Sequence, residues 1–489
     1  MIAASRPRAP DMGAPDVPVV AVIGGGFTGT ALARHLADDR LRIVLYEPRD
    51  RLGAGLAYDT DEPVHRINVP AGKMGLHGDE ADSFLHFAAA RQGDDRDVTD
   101  AAGQPFPQRG LFGAYVADAL APDLQAGRVR HAQTRVTDLR RAGAGWQVTD
   151  AAGGVLQADA VVIATSHPPP ARPLVLQPLA GDPRLFQASD WTNRAGGPRL
   201  DRIAPDARVL VVGNGLTAAD AIATLDRLGH RGPVLAVSRH GLRSKGHNPL
   251  PQEPFGTFLP LKSPRARDLL RHVRAEVARA GAAGIGWQAV FDRLRSDAQG
   301  IWAALHLAER RRVVRHLRAV WDVHRFRIAP QVERVLDRAL AAGRLQIRAA
   351  SPIAARIAQD GLQITLRDRH SGERTEATFD AVILATGPAH GSILASQPLL
   401  AGLRDAGELT LCPTGLGIAC DRQSRAIGQT GRAEPKLRIA GPLARGTFGE
   451  LMGLPQVADH AFAVAADLHD LLLGTSTAPP NSGADPRPL

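Results

Sequence analysis

Short, unbroken apolar runs alternate along this chain with stretches whose apolar residues recur every three or four positions. The runs include "VVAVI" from Val19, "LRIVLYE" ending at Glu47, "DAVVIAT" from Asp159, "VLVVG" from Val209, "GPVLAVS" ending at Ser238 and "DAVILATG" from Asp380. None alternates apolar with polar residues, so each predicts a strand buried on both faces of a parallel sheet. "ALARHLA" and "TAADAIATL" carry helical spacing directly after the first and fourth runs. "RVRHAQTRVTDLRRAGAGWQVTD" and "LQIRAASPIAARIAQDGLQITLRD" read as hairpin-like strands leading into the two "DAV" runs. The same order of elements therefore occurs twice, which predicts an α/β chain with two equivalent units, one nested in the other. From about 262 to 345 strand patterning gives way to helical spacing, as in "DLLRHVRAEVARA" and "RRRVVRHLRAVWDVHR", and predicts a helical insertion in the second unit. The expected boundaries are 17–200 and 376–474 for the first unit and 201–375 for the second, with 1–16 and 475–489 as flexible tails.

Glycine placement assigns chemistry to the two strand-to-helix junctions. In the first, Gly24 permits the tight turn, Gly26 admits a pyrophosphate to the backbone, and Gly29 lets helix and strand pack closely. Glu47, closing the next strand, is placed to hold a ribose hydroxyl. The second junction repeats Gly213 and Gly215, with Ala218 at the third position. Its next strand ends in Ser238, Arg239 and His240 in place of an acid, which suits a 2′-phosphate and favours NADPH over NADH. Both units are thus expected to be Rossmann-like dinucleotide-binding domains. Thr165, Thr386 and Gly387, at the ends of the "DAV" strands, join the candidate cofactor contacts.

With these motifs in order, the chain resembles the two-dinucleotide-binding-domain flavoproteins, in which the first domain holds FAD and the inserted second domain holds NAD(P)H. A bacterial subgroup of FAD/NAD(P)-binding proteins is the nearer resemblance, carried by "EPRDRLGAGLAYDT", "HRINVPAGKMG", "WDVHRFRIAP" and "GPLARGTFGELMGLPQV". Flavin-dependent N-hydroxylating monooxygenases are similar at greater distance. The resemblance implies that "INVPAGKM" passes beside the flavin ring, with Asn68 able to hydrogen-bond the flavin or a reacting group, although Asn68 also reads as an Asn-x-Pro turn residue. It adds Arg51 and Val136 to the cofactor contacts. Where many relatives have Gly-Asp on the ribityl chain, this sequence has Gly441 followed by Pro442, which shifts that role to backbone groups or to Arg445 and Thr447.

Composition narrows the function classes. The 489 residues suffice for two or three domains with substantial cores. No apolar run has membrane-spanning length and residues 1–16 lack the apolar middle of a signal peptide, so the expected location is cytoplasmic, with no membrane partner. Cys412 and Cys420 form no CxxC pair, which argues against a dithiol relay. The formal charge of +9 comes from arginines interleaved with apolar helix faces, without zinc spacing or a basic tail. Nucleic acid is therefore not an expected partner, and part of the charge should meet anionic cofactors. No Ser/His/Asp triad or metal-ligand spacing appears.

The expected activity is that of an NADPH-dependent FAD oxidoreductase, a monooxygenase acting with O2 on a small amine or amino acid. Two alternatives stay open: a flavin reductase that inserts no oxygen, and a redox sensor that turns nothing over. Substrate-side candidates are Arg243, Lys245 and His247 in "RSKGHNP", and Asp322, His324, Arg325 and Arg327 in "WDVHRFR", of which Arg325 joins Asn68 as a catalytic candidate. Arg243 and Lys245 also read as contacts to the 2′-phosphate, and Trp321 with Phe326 as packing residues beside a surface salt-bridge cluster. Ser189 and Asp190 stand where some relatives carry a histidine fingerprint, which argues against Baeyer–Villiger chemistry. Self-association into a homo-oligomer is left open.

Overall fold

A computed structural model describes residues 17–77, 82–91, 93, 95, 97–168, 170, 172–187 and 199–474. Ser189, Asp190 and both tails lie outside the described residues. The first sheet runs Arg425–Ile427, Ala433–Ile439, Ala160–Ile163, Val19–Ile23, Arg42–Tyr46, Val129–Ala132 across its width. All neighbours are parallel except the edge strand Arg425–Ile427. The helix Phe27–Leu36 packs on this sheet with Arg109–Gln125 and the closing helix Gln456–Leu473 beside it. That cover explains the unbroken apolar runs: Val20, Ala21, Val161, Val162 and Ile163 are wholly buried. Register sets Ile23, Tyr46, Ile163 and Ile439 level with one another, so Gly24, Glu47, Ala164 and Ala440 leave one edge of the sheet together.

The second sheet orders Arg374–Phe379, Gly361–Asp368, Leu345–Ala358, Val234–Ser238, Val209–Val212, Ala381–Leu384, Leu185–Gln187. Here Val212 lies level with Val237 and Leu384, which gathers Gly213, Ser238 and Ala385 at its carboxyl edge. The two units differ where hairpin-like strands are expected. In the first, Val129–Ala132 belongs to the main sheet, and Val136–Ala142 starts a separate antiparallel sheet with Gly145–Asp150 and Val155–Ala158. In the second, one continuous strand, Leu345–Ala358, pairs in parallel with Val234–Ser238 and then antiparallel with Gly361–Asp368. Its bulge falls between Pro352 and Ala354, where a residue without an amide donor is tolerated.

Between these strands come the helices Ala266–Ala282, Trp287–Ser296, Ala298–Ala304, Leu307–Arg312 and Arg318–Arg325. They share a core of their own with Cys412, Leu416 and Ala419, so the insertion rests on a late segment of the first unit. The helix Pro330–Ala341, started by proline at its first turn, packs on Leu216–Arg227 and on Leu345–Ala358 instead. Leu216–Arg227 is bolted to the first unit by polar side chains. Asp220 receives Arg109 at 2.7 and 3.1 Å, Glu62 receives Arg227 at 2.7 Å, and the Thr224 hydroxyl meets His65 Nε2 at 3.1 Å. Among the described residues no helix is long and apolar enough to cross a membrane, and no group of three acidic, histidine or cysteine side chains could hold a metal.

Candidate functional site

At the first turn the three glycines are sterically required in different degrees. Gly24 has φ of +108°, and a Cβ there would stand 2.6 Å from the Ala164 carbonyl oxygen. At Gly29 a Cβ would lie 1.8 Å from the Gly24 oxygen, because helix and strand touch backbone to backbone. Gly26 begins the helix Phe27–Leu36 and closely faces Gly55. No side chain caps that helix, which leaves its first amides to a ligand. Glu47 accepts the Gly25 N–H at 3.0 Å and the Arg49 Nε at 2.8 Å. Burial raises its pKa, but the hydrogen bonds and charge of Arg49 outweigh burial and keep the carboxyl below its ordinary value. Thr165 follows the strand beside Gly24, and its Oγ1 is buried with no hydrogen-bond partner among the described residues. Gly441, at φ of +66°, folds over the start of the same helix, where a Cβ would meet Thr28 Oγ1 at 2.5 Å. Its N–H donates to Nδ1 of the buried His460 at 3.2 Å. Unfilled amides, an orphaned hydroxyl and a cradle that any Cβ would fill are what a dinucleotide pyrophosphate requires.

The second turn is built alike. Gly213 has φ of +115°, and its Cβ would stand 2.1 Å from the Ala385 oxygen. A Cβ at Gly215 would meet nothing within 4 Å, so open space lies before the uncapped helix Leu216–Arg227. Asn214 donates to the Ser238 hydroxyl at 3.2 Å, and its own buried Oδ1 has no partner among the described residues. Arg239 is exposed and forms no ion pair among the described residues. Thr386 and Gly387 follow the neighbouring strand, Gly387 at φ of +74°. A small recess beside the turn is lined by Asn214, Gly215 and Arg243, and Arg243 is held at 2.6 Å by Asp337.

Comparison with known proteins agrees with this geometry. Residues 21–168 match the family described as FAD-NAD(P)-binding. No curated protein sequence matches. Among solved structures, the reduced form of ornithine hydroxylase from Pseudomonas aeruginosa superposes with a TM-score of 0.63 at 19% identity, over 93% of this chain and 99% of that one. Ornithine N-hydroxylase of Kutzneria sp. 744, solved with reduced FAD, NADP+ and L-ornithine, gives 0.59 at 19% identity over 94% and 100%. Bacillithiol disulfide reductase from Staphylococcus aureus gives 0.54 at 14% over 93% and 98%. The fold is that of the two-dinucleotide-domain flavoproteins. Within this flavoprotein fold, residues 21–168 carry the FAD-NAD(P)-binding domain.

Other candidate residues are distributed unevenly. Gly24, Gly26, Gly29, Glu47, Thr165 and Gly441 gather at one sheet edge, and Gly213, Gly215, Ser238 and Thr386 at the other. Arg51 pairs with Asp59 at 3.4 Å, and Val136 is buried in the small antiparallel sheet. Arg445 turns to Asp322 at 3.5 Å, and Thr447 gives its hydroxyl to the Cys420 carbonyl at 2.7 Å. Asn68 is half-buried and its carbonyl meets His247 Nε2 at 3.1 Å. Burial first, then the charge of Arg327, pushes His247 down to about 4. Arg325 is buried against Glu450 and lies over the Phe326 ring. Arg327 pairs with Asp292 at 2.9 Å, and His324 stacks on Phe291. Arg49, His460 and Glu450 escape sequence reasoning; only Arg49 had a signal, its position two residues from Glu47.

Proposed function

We propose that this chain is an NADPH-dependent FAD monooxygenase acting with O2 on a small amine or amino acid. The observation carrying the proposal is the pair of cradles, one closed by the carboxylate of Glu47 and the other by Ser238 and the free guanidinium of Arg239. The first suits the adenosine ribose of FAD, and the second suits the 2′-phosphate of NADPH. When bound, FAD supplies two-electron redox chemistry, with NADPH as reductant and O2 as oxidant. The chain contributes binding and order: the uncapped helix starts take the pyrophosphates, Gly441 closes over the first, and the Asp220, Glu62 and His65 contacts keep the two units aligned. Two observations favour oxygen over a dithiol acceptor. Cys412 and Cys420 are free and buried, and burial pushes the Cys420 thiol up to about 12, far from the thiolate that a relay uses. The ornithine hydroxylases also superpose with higher scores than the bacillithiol disulfide reductase.

The test is coupling: NADPH consumption in air, measured beside hydroxylated product across a panel of amines and amino acids. At least one compound should give product in step with NADPH. Peroxide alone, matching NADPH for every compound, would return the assignment to a flavin oxidase or reductase.

A further inference from the structure

Where the helical insertion meets residues 445–450 the structure holds a partly open cavity of about 150 Å³. Its walls are apolar, including Leu269, Val273, Ile301, Trp302 and Trp321, while Arg318, Arg445 and Glu450 stand at one side. Arg445 is 3% exposed, yet its contacts are long: 3.5 Å to Asp322 and 3.4 Å from Nε to the Gly449 carbonyl. Arg318 shares that Asp322 at 3.3 Å. A guanidinium has five N–H donors, so most of the donor capacity of this pair is unspent among the described residues.

Charge points the same way. Glu450 is already taken by the buried Arg325, and Arg295 lies within the field of both. Arg327 is matched by Asp292 and adds no excess. Of the charged side chains lining the cavity, Arg318 and Arg445 are cations and Glu450 is an anion already paired with Arg325. Burial and the charge of Arg325 push Arg295 down to about 10, a sign of this crowding. Arg445 is buried and Arg318 is partly exposed, and an incoming anion offsets the charge of both. An apolar cavity of about 150 Å³ accommodates a benzene ring.

We infer that this cavity binds a small carboxylate with an apolar body about the size of one benzene ring, its head on Arg318 and Arg445 and its body among Val273, Ile301, Trp302 and Trp321. The site rests on the monooxygenase reading only for the ligand's fate, and within that reading it narrows the substrate to an amino acid with an apolar side chain. A basic side chain would add a cation to a wall that already has an excess.

Calorimetric titration of the FAD-loaded chain without NADPH tests the site, with 3-phenylpropionate as probe and phenethylamine and L-lysine as comparators. The acid should bind at least tenfold more tightly than either. Arg318→Gln should weaken it at least tenfold, as should Val273→Phe, which fills the cavity, and FAD content should stay unchanged in both. Equal or tighter binding of phenethylamine, no binding of the acid, or full binding by Val273→Phe would overturn the site. Because the titration contains no reductant it reads the cavity alone; peroxide without oxygenated product for every compound of the separate turnover panel would overturn the monooxygenase reading and leave the cavity assignment standing.

Discussion

Gly29, at the third position of the first turn, and Gly215, at the second position of the other, answer to different constraints. A Cβ at Gly29 would sit 1.8 Å from backbone, whereas one at Gly215 would meet nothing. Gly29→Ala should therefore part helix from strand and yield protein largely without FAD, read from the flavin-to-protein absorbance ratio. Gly215→Ala should leave the melting temperature unchanged and weaken NADPH, because only the coenzyme needs that space; unaltered NADPH affinity would move the phosphates elsewhere. Arg239→Ala should narrow the preference for NADPH over NADH by about 1.5–3 kcal/mol of charge-assisted bonding, measured as the ratio of kcat/KM values. His460 carries a pH prediction. Its Nδ1 accepts the Gly441 N–H and its Nε2 faces Ser424 Oγ at 2.8 Å, so the neutral ring fits and burial pushes its pKa down to about 4. The unfolded chain protonates near pH 6.5 and the folded chain near 4, so stability present above pH 6.5 is lost as pH falls toward 4. His460→Gln should flatten the fall in melting temperature between pH 7 and 5; an unchanged slope would contradict this. The positions of Glu47 and the glycines at the turns were legible because each contact is local to one turn. The partners of Arg445 and Thr447 were not, since Asp322 and Cys420 come from distant parts of the chain.

Buried apolar runs announced the main strands because parallel strands covered on both faces tolerate little else. The hairpin-like stretches were less legible. Nothing local distinguishes a strand that breaks at the sheet edge, as after Ala132, from one that continues through a bulge, as at Pro352. Helical spacing marked the insertion but not the partner of each helix, and Pro330–Ala341 packs on the second sheet's own elements. The helix Leu216–Arg227 carries the element-scale prediction. Asp220 is buried and pairs at 2.7 Å with Arg109, which is only partly exposed, so Asp220→Ala leaves a largely desolvated guanidinium uncompensated and should cost about 3–5 kcal/mol. Urea unfolding reads that cost, and a loss below about 1 kcal/mol would mean that the bolt holds nothing.

At the scale of the whole molecule, the chain builds most of one sheet, leaves it for a second, and returns through Ala433–Ile439 to complete the first. Repetition of the strand, turn and closing-strand pattern made this nesting readable. The apolar cavity was not readable, because its arginine wall joins Arg318 of the insertion to Arg445, and only folding brings them to a shared Asp322. Both cradles open at the carboxyl edges of their sheets, where dinucleotides bind in such folds, and the proposed function needs reducing equivalents to pass between them. Anaerobic mixing of the purified FAD-loaded chain with NADPH or NADH tests this most directly. The visible flavin band should bleach, with NADPH effective at lower concentration than NADH. A flavin band that neither coenzyme bleaches, or a chain that takes up no FAD at all, would contradict it.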